Sequence, residues 1–518
     1  MMSQGLAAQS EKQPQIPAET GGGRVLCIDL DGTLIATDSM QEAALLLFKS
    51  NPFNALRLLS WWTHGRPYLK DQLFSHAMPN AALLPYRADI LEFLREQKQL
   101  GRKLVLATGS DQRMARAVAD HLGIFDDVIA TDGHTNMTRH NKLAELERRY
   151  GPRGFDYMGN SSADLCLWEA CGEAYVVDAP GHVLRKAHLN RKPARVFHYP
   201  GGWMAGLRAL RPHQWVKNLL IFVPLLLSHR MGEIKLLAMA LIAFCAMCMA
   251  ASSVYLLNDL LDLESDRRHP TKSRRPLPSG QLTPAEGMVL HGLLLVGGVG
   301  LSVALLPGGF TAILLIYLVL TLLYSMWIKR LLLVDVIALA VLYTLRIVAG
   351  AAAVSVPLTM WLLAFSLFFF VSLAFAKRYS ELLDLEAAGG FEAHGRSYTL
   401  NDLRIIESVG PASGYLSVLV FCLYLDSALV QSLYIRSELL WLATPILLYW
   451  ITRIWFLARR RALHQDPIVF AIKDRVSYLA GLALVAIVLL ASLTFHGHWG
   501  RWPLPDRNLV HLKADTTQ

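Results

Sequence analysis

Hydrophobic positions follow two different patterns along this chain. Up to about residue 215, short apolar runs of β-strand length alternate with amphipathic segments, which is typical of an α/β domain. Beyond that point the apolar runs lengthen to roughly 15–28 residues, and most runs of this size are long enough to cross a bilayer as helices. The pattern predicts a doubly wound α/β domain followed by an all-α membrane domain.

Composition sets the expected domain boundaries. Residues 1–23 are polar and are predicted to be disordered, residues 24–185 form the α/β domain, residues 186–207 form a linker with Pro and Gly breakers, residues 208–496 form the membrane domain, and residues 497–518 form a tail. About nine spans are expected in the membrane domain, at roughly 216–230, 235–262, 284–305, 309–328, 332–353, 358–376, 412–434, 438–457 and 475–495.

Basic residues predict the orientation in the membrane. With the amino end inside, the loops after the even-numbered spans face the cytoplasm, and these loops hold most of the Lys and Arg between spans. The opposite loops carry only Arg230, Lys235 and Arg436. No apolar leader is visible before the α/β domain. We expect a multi-pass protein of the inner or plasma membrane, with a cytoplasmic N-terminal domain and active-site face and a C-terminus on the other side.

Charge and cysteine content exclude some functions. The net charge is +9 over 518 residues, but the basic residues form short clusters between apolar runs instead of one basic face, so no nucleic-acid partner is expected. The six cysteines lack the spacing of a metal site. The sequence leaves the oligomeric state open, a homo-oligomer included.

The α/β domain carries an ordered set of polar residues at strand ends. RVLCIDLDGTL predicts a buried strand whose following turn presents Asp29 and Asp31, at the edge where doubly wound sheets bind ligands. Thr108 ends the strand KLVLATGS, Lys142 lies in RHNKLAEL, and Asp164 follows the strand in FDYMGNSSAD. These motifs, in this order, resemble the haloacid dehalogenase superfamily of phosphoryl-transfer enzymes.

The resemblance implies a role for each of these residues. Asp29 would attack phosphorus, and Asp31 would protonate the leaving oxygen and later deprotonate water. Thr108 and Lys142 would hold the phosphoryl oxygens. Mg²⁺ would be bound by Asp29, Asp31 and Asp164 and would neutralise the negative charge that a carboxylate meets at a phosphate.

Two further features bear on this interpretation. A helical insert over about residues 38–85 resembles a small cap that would exclude water and choose the substrate. Asn160 stands where the family usually has an acid, so Asp164 would supply the distal carboxylate for Mg²⁺. This departure leaves open a second interpretation, in which the domain is inactive and serves binding or stability.

A long charged string follows the second predicted span. NDLLDLESDRRHPTKSRRPLPSG runs from Asn258, and on a continuous helix Asn258, Asp259, Asp262 and Asp266 fall within an arc of about 100°. Acids at a helix mouth need counter-charge or metal, and oxygen ligands suit Mg²⁺, which often bridges carboxylates to substrate phosphates. The basic residues that follow would bind the same diphosphate, with Lys272 and Arg275 as the candidates.

This string resembles the UbiA superfamily of intramembrane prenyltransferases over the whole membrane domain. RPHQWVKNLLIF, DRRHPTKSRRP, YSMWIK and AKRYSEL together look like the branch typified by decaprenyl-phosphate phosphoribosyltransferase. Aromatic prenyltransferases of the superfamily usually have a second acidic motif after the sixth span, where this chain has Lys377 and Arg378. Replacing acids by bases fits a second substrate that is itself a phosphate.

The resemblance implies transfer of 5-phosphoribose from phosphoribosyl diphosphate to a polyprenyl phosphate. Asn258, Asp259, Asp262 and Asp266 would bind Mg²⁺, and a clamp on the diphosphate would stabilise the charge that builds on the leaving group. Candidates for the 5-phosphate or the lipid phosphate are Lys217, Lys329, Lys377 and Arg378, and Tyr324 would orient the ribose or anchor the helix at the interface. The N-terminal domain would then remove the 5-phosphate, for the synthesis of cell-envelope glycan precursors.

Three alternatives remain open from the sequence. The first is an aromatic prenyltransferase that uses a polyprenyl diphosphate for quinone-type lipids. The second is a transporter with a regulatory soluble domain, against which stands the lack of a detectable internal repeat. The third keeps the transferase and makes the N-terminal domain a binding module.

Overall fold

The computed structural model describes residues 23–492, except residues 52, 133–134, 191, 200–201, 229, 388, 390–396, 428–429, 432–433 and 464–465. Residues 1–22 and 493–518, which hold nearly all of the predicted disordered N-terminus and the predicted tail, lie outside the described residues.

The N-terminal part contains one parallel six-stranded sheet. Its order is β3-β2-β1-β4-β5-β6, and the strands are β1 (Val25–Ile28), β2 (Leu104–Asp111), β3 (Asp127–Thr131), β4 (Phe155–Gly159), β5 (Ala174–Val177) and β6 (Arg195–Phe197). Helices cover the sheet and form the inserted segment after β1: α1 (Ser39–Ser50), α2 (Asn54–Thr63), α3 (Arg66–His76), α4 (Ala88–Gln99), α5 (Gln112–Leu122), α6 (His140–Tyr150), α7 (Leu165–Ala170) and α8 (Gly181–Asn190). The predicted doubly wound α/β fold is confirmed.

Alternate side chains of the strands enter two separate cores. Leu26 and Ile28 of β1 pack on one face with residues of α1, α3, α4 and α5, whereas Cys27 packs on the other face with Phe155 and Tyr157 of β4. This alternation follows from the strand geometry, in which successive side chains point to opposite faces. Burial on both faces explains why these strands are continuous apolar runs in the sequence.

The rest of the described chain is helical. It contains α9 (Trp203–Ala209), α10 (Val223–Leu227), α11 (Ile234–Leu261), α12 (Leu263–Arg268), α13 (Pro284–Leu305), α14 (Gly308–Met326), α15 (Val334–Val354), α16 (Met360–Ala387), α17 (Leu403–Leu425), α18 (Ala443–Arg459), α19 (Pro467–Lys473) and α20 (Arg475–Ser492). Within the described ranges, eight helices are long and apolar enough to cross a membrane: α11, α13, α14, α15, α16, α20, and α17 and α18 with the 3₁₀ turns that precede them.

The first of the nine predicted spans is not confirmed. Residues 216–230 were expected to cross the membrane, but the structure has a 3₁₀ helix at Pro212–Phe222 followed by the five-residue α10. Pro224 at the start of α10 lacks the amide hydrogen that a continuous helix would need, which accounts for the change of helix type.

Contacts divide the chain into two compact units. The first consists of Met1–Asn218 and Leu241–Ser325, and the second consists of Leu219–Ala240 and Met326–Gln518. The sheet, the cap helices and the charged string after α11 therefore belong to one unit. This division follows contacts and not sequence order, so the predicted domain boundaries stay predictions.

Candidate functional sites

The first candidate site, called here the sheet-edge site, lies where the neighbouring strands β1 and β4 end. Asp29 directly follows β1, and Asn160 directly follows β4. Strand order reverses between these two strands, and ligands of doubly wound sheets bind at such a point. Gly32 turns the chain with φ +73°, and a Cβ at this position would lie 2.0 Å from the side-chain nitrogen of Asn160. Only glycine fits this turn.

A buried hydrogen-bond network connects Asp29 to Asp164. Lys142 Nζ donates to Asp29 Oδ1 at 2.9 Å and to the Tyr157 hydroxyl at 2.9 Å. The Tyr157 hydroxyl donates to Asp164 Oδ1 at 2.9 Å. Burial alone would lower the pKa of Lys142, but the charges of Asp29 and Asp164 outweigh burial and raise it. Lys142 therefore remains a cation beside Asp29.

The second oxygen of Asp164 is held by the loop after β4. Asp164 Oδ2 accepts hydrogen bonds from the amide of Asn160 at 3.1 Å and from the amide and hydroxyl of Ser161 at 2.9 Å. These bonds close a capping box at the turn Ser162–Asp164. The orientation of the Asp164 carboxylate is thus fixed by its own loop and by Tyr157, without the side chain of Asn160.

Asp31 points to the first turn of the cap. The amide of Ser39, the first residue of α1, donates to Asp31 Oδ1 at 2.7 Å. Burial, with a contribution from the charge of Asp38, raises the pKa of Asp31 to about 8. Burial also raises the pKa of Asp29, although Lys142 opposes this shift. A carboxyl group with the raised pKa of Asp31 holds a proton at neutral pH and has one to donate.

These residues line one cavity of about 380 Å³. Its walls include charged and neutral polar side chains from the sheet edge, the cap, the start of α6 and the loop before α13: Asp29, Asp31, Asp38, Lys70, Arg139, Lys142, Asn160, Asp164 and Thr283. A cavity of this size holds a small phosphorylated group.

Two residues near the cavity bear on the sequence prediction: Lys70, which was not predicted, and Thr108, which was. Lys70 of the cap was not predicted, yet its Nζ donates to the carbonyl of Gly109 at 2.5 Å and to Asn136 Oδ1 at 3.1 Å. Burial lowers the pKa of Lys70. Thr108 was predicted to hold a phosphoryl oxygen, but it is fully buried, its hydroxyl accepts from the amide of Ser110 at 3.0 Å, and Gly109 lines the cavity at this strand end. The role of Thr108 stays a prediction.

The donor set of the sheet-edge site fits Mg²⁺. Asp29, Asp31 and Asp164 line one cavity and offer oxygen, the ligand that Mg²⁺ prefers, although among the described residues these three carboxylates do not enclose one common metal position. Burial raises the pKa of Asp29 and of Asp31, and a bound divalent cation would act in the opposite direction by favouring the ionised carboxylates.

The second candidate site, called here the helix-end site, lies at the end of α11. Asp259 and Asp266 are each 4% exposed. Arg275 Nη1 joins them, donating to Asp259 Oδ1 at 3.1 Å and to Asp266 Oδ2 at 2.8 Å. Arg211 also donates to Asp259, and Lys272 Nζ lies 3.6 Å from Asp266 Oδ1. Two buried carboxylates are therefore neutralised by three basic side chains.

Asp262 lies apart from this pair. Residue 262 has φ −105° and ψ 16°, outside the helical range, and it separates α11 from α12. Its amide still donates to the carbonyl of Asn258 at 3.0 Å, and the amide of Asp266 donates to the carbonyl of Asp262 at 2.8 Å. The Asp262 side chain is 39% exposed and lies 3.4 Å from Lys49 Nζ of α1. The predicted convergence thus holds in this structure for Asp259 and Asp266, while Asp262 faces the cap.

Two carboxylates at the helix-end site can hold a hard cation. The part of the chain that the structure describes has no group of three or more His, Cys, Asp or Glu side chains arranged around a metal position. Mg²⁺ commonly uses one or two carboxylates and completes its shell with water and substrate phosphates. Asp259 Oδ1 and Asp266 Oδ2 already lie within 3.1 Å of one cationic nitrogen atom, so this oxygen pair fits such a cation.

The second unit contains two other predicted phosphate ligands. Arg378 is 1% exposed, and its Nε donates to Asp335 Oδ2 at 2.7 Å. Asp335 also accepts from the Tyr398 hydroxyl at 2.7 Å. Lys377 Nζ lies 3.4 Å from Asp466 Oδ2. Arg378 is therefore part of a buried ion pair, and it would have to leave Asp335 to reach a phosphate.

The remaining predicted ligands are distributed over both units. In the first unit, Asn258 lies in the last turn of α11, Lys217 is buried in the 3₁₀ helix at Pro212–Phe222, and Tyr324 lies near the end of α14. Lys329 lies in a 3₁₀ turn at Ile328–Arg330 of the second unit. Their roles stay predictions.

Comparison with known proteins identifies both parts. The model of the UbiA prenyltransferase family matches residues 219–473, and the model of haloacid dehalogenase-like hydrolases matches residues 26–169. A decaprenyl-phosphate phosphoribosyltransferase of Mycobacterium tuberculosis is 30% identical over 297 residues, which are 56% of this chain and 95% of that protein. Nodulation protein NoeC of Azorhizobium caulinodans is 34% identical over 294 residues, which are 56% of this chain and 94% of that protein. An uncharacterized protein of Sinorhizobium fredii is 35% identical over 472 residues, which are 90% of each chain.

The chain belongs to the UbiA prenyltransferase family and carries a haloacid dehalogenase-like domain at its N-terminus. It is an integral membrane enzyme related to the decaprenyl-phosphate phosphoribosyltransferases. Both resemblances seen in the sequence are confirmed.

Proposed function

We propose that the protein transfers 5-phosphoribose from phosphoribosyl diphosphate to a polyprenyl phosphate at the helix-end site, and then removes the 5-phosphate at the sheet-edge site. The observation that carries this proposal is the coexistence of two phosphate-suited sites in one unit. One holds paired carboxylates among arginines, and the other holds paired carboxylates beside a buried lysine. The names of the mycobacterial relatives support the first reaction.

The first reaction exchanges one phosphate for another at the anomeric carbon of ribose. The bond from that carbon to the diphosphate oxygen breaks, and a bond to an oxygen of the lipid phosphate forms. The lipid phosphate is already ionised, so no general base is needed. Asp259 and Asp266 would hold the cation that neutralises the departing diphosphate, and Lys272 and Arg275 would bind its oxygens.

The second reaction hydrolyses a phosphomonoester. Asp29 is the nucleophile in this proposal, and Lys142 holds it and the phosphoryl group in place. Asp31 gives its proton to the leaving 5-oxygen of ribose and then takes a proton from water, which breaks the bond between Asp29 and phosphorus. Bound Mg²⁺ would supply the charge neutralisation that lets a carboxylate approach an anionic phosphate.

Both sites would face the cytoplasm. Basic residues are concentrated in the loops on the side that carries the helix-end site, and the first unit holds that loop together with the α/β domain. The product would be a polyprenylphosphoryl ribose for cell-envelope glycans.

The test measures diphosphate and inorganic phosphate in one reaction. Purified protein in detergent receives phosphoribosyl diphosphate and Mg²⁺, with and without a polyprenyl phosphate. Wild type should release both products only when the lipid is present. Asp266→Asn should abolish both, and Asp29→Asn should abolish inorganic phosphate while diphosphate release continues.

Two results would contradict the proposal. Release of no diphosphate with the lipid would redirect the search to a polyprenyl diphosphate with an aromatic acceptor. Release of diphosphate without inorganic phosphate would be checked by supplying the 5-phosphorylated lipid directly. If that lipid also yields no inorganic phosphate, the N-terminal domain is a binding module and not a phosphatase. Lipid-dependent product release in detergent would instead argue against a transporter, because a detergent solution has no compartments to transport between.

A further inference from the structure

Helix α1 of the cap packs against a different apolar cluster on each of two faces. Ala43 and Leu47 are buried in the core of the α/β domain. Leu45 packs against a different cluster, formed by apolar residues of α9, α11, α12 and the loop before α13. Residues three or four apart share a face of a helix, so these two sets point in different directions. One short helix is thus packed into two separate apolar clusters of the first unit.

The second face of α1 carries a buried ion pair. Arg267 of α12 donates to both carboxylate oxygens of Glu42, at 2.6 and 2.8 Å. The side chains of Arg267 and Glu42 are 7% and 3% exposed. Two-bond pairing of arginine and carboxylate fixes orientation as well as distance. The cap is therefore held against the segment that also contains Asp266.

Other contacts extend this interface on both sides of the ion pair. Gln41 Oε1 accepts from the amide of Ala285 at 3.0 Å, and Glu264 Oε1 accepts from the amide of Asn80 at 3.2 Å. Gly280 adopts φ +75° and packs so tightly that a Cβ would lie 2.6 Å from the Cβ of Ala36. The cap and the turn that precedes it therefore contact α12, the loop before α13 and the first turn of α13.

This loop also contributes to the sheet-edge cavity. Thr283, the N-cap residue of α13, lines the cavity that contains Asp29 and Asp31. The wall of the candidate phosphatase site is therefore completed by a segment of the membrane part.

The ends of α1 lie at the two sites. At its start the amide of Ser39 donates to Asp31, and in its last turn Lys49 lies 3.4 Å from Asp262, next to the helix-end site. A helix rises 1.5 Å per residue, which separates Ser39 and Lys49 by about 15 Å. A head group anchored by its prenyl tail can cover such a distance without dissociating from the protein.

We propose that the 5-phosphorylated lipid passes directly from the helix-end site to the sheet-edge site along α1, and that the Glu42 and Arg267 ion pair aligns the two sites for this passage. The inference rests on the two-reaction function proposed above, and it adds that the phosphatase acts on the product of its own chain. Tethering would raise the local concentration of this product far above its concentration in the membrane.

The experiment compares sites in one chain with sites in separate chains. One sample is full-length wild type, and the other is an equimolar mixture of Asp266→Asn and Asp29→Asn proteins in separate detergent micelles. The Asp266→Asn protein is checked for hydrolysis of p-nitrophenyl phosphate, and the Asp29→Asn protein is checked for diphosphate release. Diphosphate, inorganic phosphate and the 5-phosphorylated lipid are then followed over time.

Wild type should release phosphate without a lag behind diphosphate, and dilution of the protein should not change this. The mixture should show a lag that grows in proportion to dilution, with about tenfold more 5-phosphorylated lipid. A mixture that matches wild type overturns direct passage while the proposed function stands. Wild type that releases no diphosphate overturns the proposed function and this inference with it.

Charge reversal tests the role of the ion pair. Glu42→Arg alone should produce a lag and accumulation of 5-phosphorylated lipid, because it places two cations together. Glu42→Arg combined with Arg267→Glu should restore the wild-type time course by re-forming the pair with opposite polarity. Hydrolysis of p-nitrophenyl phosphate should stay within twofold of wild type in the double variant, which shows that the cap is folded. If the double variant shows the same lag as Glu42→Arg alone, the Glu42 and Arg267 ion pair does not align the two sites.

Discussion

The buried ion pair of Asp335 and Arg378 decides between two roles for Arg378. The two side chains are 0% and 1% exposed, and they lie 2.7 Å apart. Asp335→Asn would remove the buried counter-ion of the arginine, while the ion pair with Glu381, whose side chain is 37% exposed, would remain. Removing one member of a buried ion pair lowers the free energy of unfolding by about 3–5 kcal/mol. Because the contact with Glu381 remains, we expect a loss at the lower end of this range, about 3 kcal/mol.

This loss is measurable as a melting temperature in detergent. For a unit of about 200 residues, 1 kcal/mol corresponds to roughly 2–4 °C, so Asp335→Asn should lower the melting temperature by about 6–12 °C. Glu381→Gln is the matched control, because the loss of a partly exposed ion pair costs about 0–1 kcal/mol. Intrinsic fluorescence during heating gives both values.

A double replacement separates packing from phosphate binding. Asp335→Leu with Arg378→Met removes both charges, and such replacements of a buried pair are commonly neutral or stabilising by about 1–4 kcal/mol. If Arg378 only packs, the double variant should keep lipid-dependent diphosphate release. If it binds substrate phosphate, KM for phosphoribosyl diphosphate should rise at least about tenfold at normal stability. A double variant as unstable as Asp335→Asn would refute the reasoning about the pair itself.

Three further predictions concern the sheet-edge site. Lys142→Met should reduce phosphate release by about 10²–10³-fold by removing the cation beside Asp29, with diphosphate release unchanged, and a coupled phosphate assay checks this. Burial raises the pKa of Asp31 to about 8, well above its value in the unfolded chain. In metal-free protein, prepared with EDTA, the proton on Asp31 therefore stabilises the fold fully below about pH 4, and this stabilisation is lost as the pH rises towards 8. Thermal melts should show this fall, Asp31→Asn should flatten it, and a rise over the same range would contradict it. Arg139 is exposed and lines the cavity, so it could bind a second phosphate of the substrate. Arg139→Ala should then raise KM about tenfold for a substrate with two phosphates and leave KM for p-nitrophenyl phosphate unchanged. An equal change in both KM values would exclude this role.

The α/β fold was predictable because its signals are local. Short apolar runs ending in polar turns predict buried parallel strands, and the carboxyl ends of such strands meet at one edge. The strand ends therefore predict that Asp29, Asp31 and Asp164 lie together, the family resemblance adds Lys142, and all four residues line one cavity. Helix count was less secure, since nothing in hydropathy alone distinguishes a short span from the 3₁₀ segment at Pro212–Phe222.

The missed residues depend on distant parts of the chain. Tyr157 occupies an interior strand position, where an aromatic residue is usually core, and only the fold shows its hydroxyl between Lys142 and Asp164. Lys70 reaches Gly109 because the cap folds back over the sheet. Arg211 opens a string that was quoted for its resemblance, but its pairing with Asp259 requires the folded helix end. The nearness of Asp262 to Lys49, more than two hundred residues earlier in the sequence, likewise becomes visible only in the folded chain.

The order of acids followed by bases in the charged string has a physical reason. Two buried carboxylates without counter-charge would cost several kcal/mol each, so Arg211 and Arg275 stabilise the folded helix end before substrate arrives. In the proposed transfer reaction, a cation held by Asp259 and Asp266 would displace Arg275, and the negative charge then available to Arg275 would be that of the diphosphate. The same side chain would thus act as counter-ion before substrate binds and as a substrate ligand afterwards. Arg275→Gln should accordingly weaken both stability and diphosphate binding, whereas adding Asp259→Asn should recover stability but not activity, and recovery of activity would refute this double role.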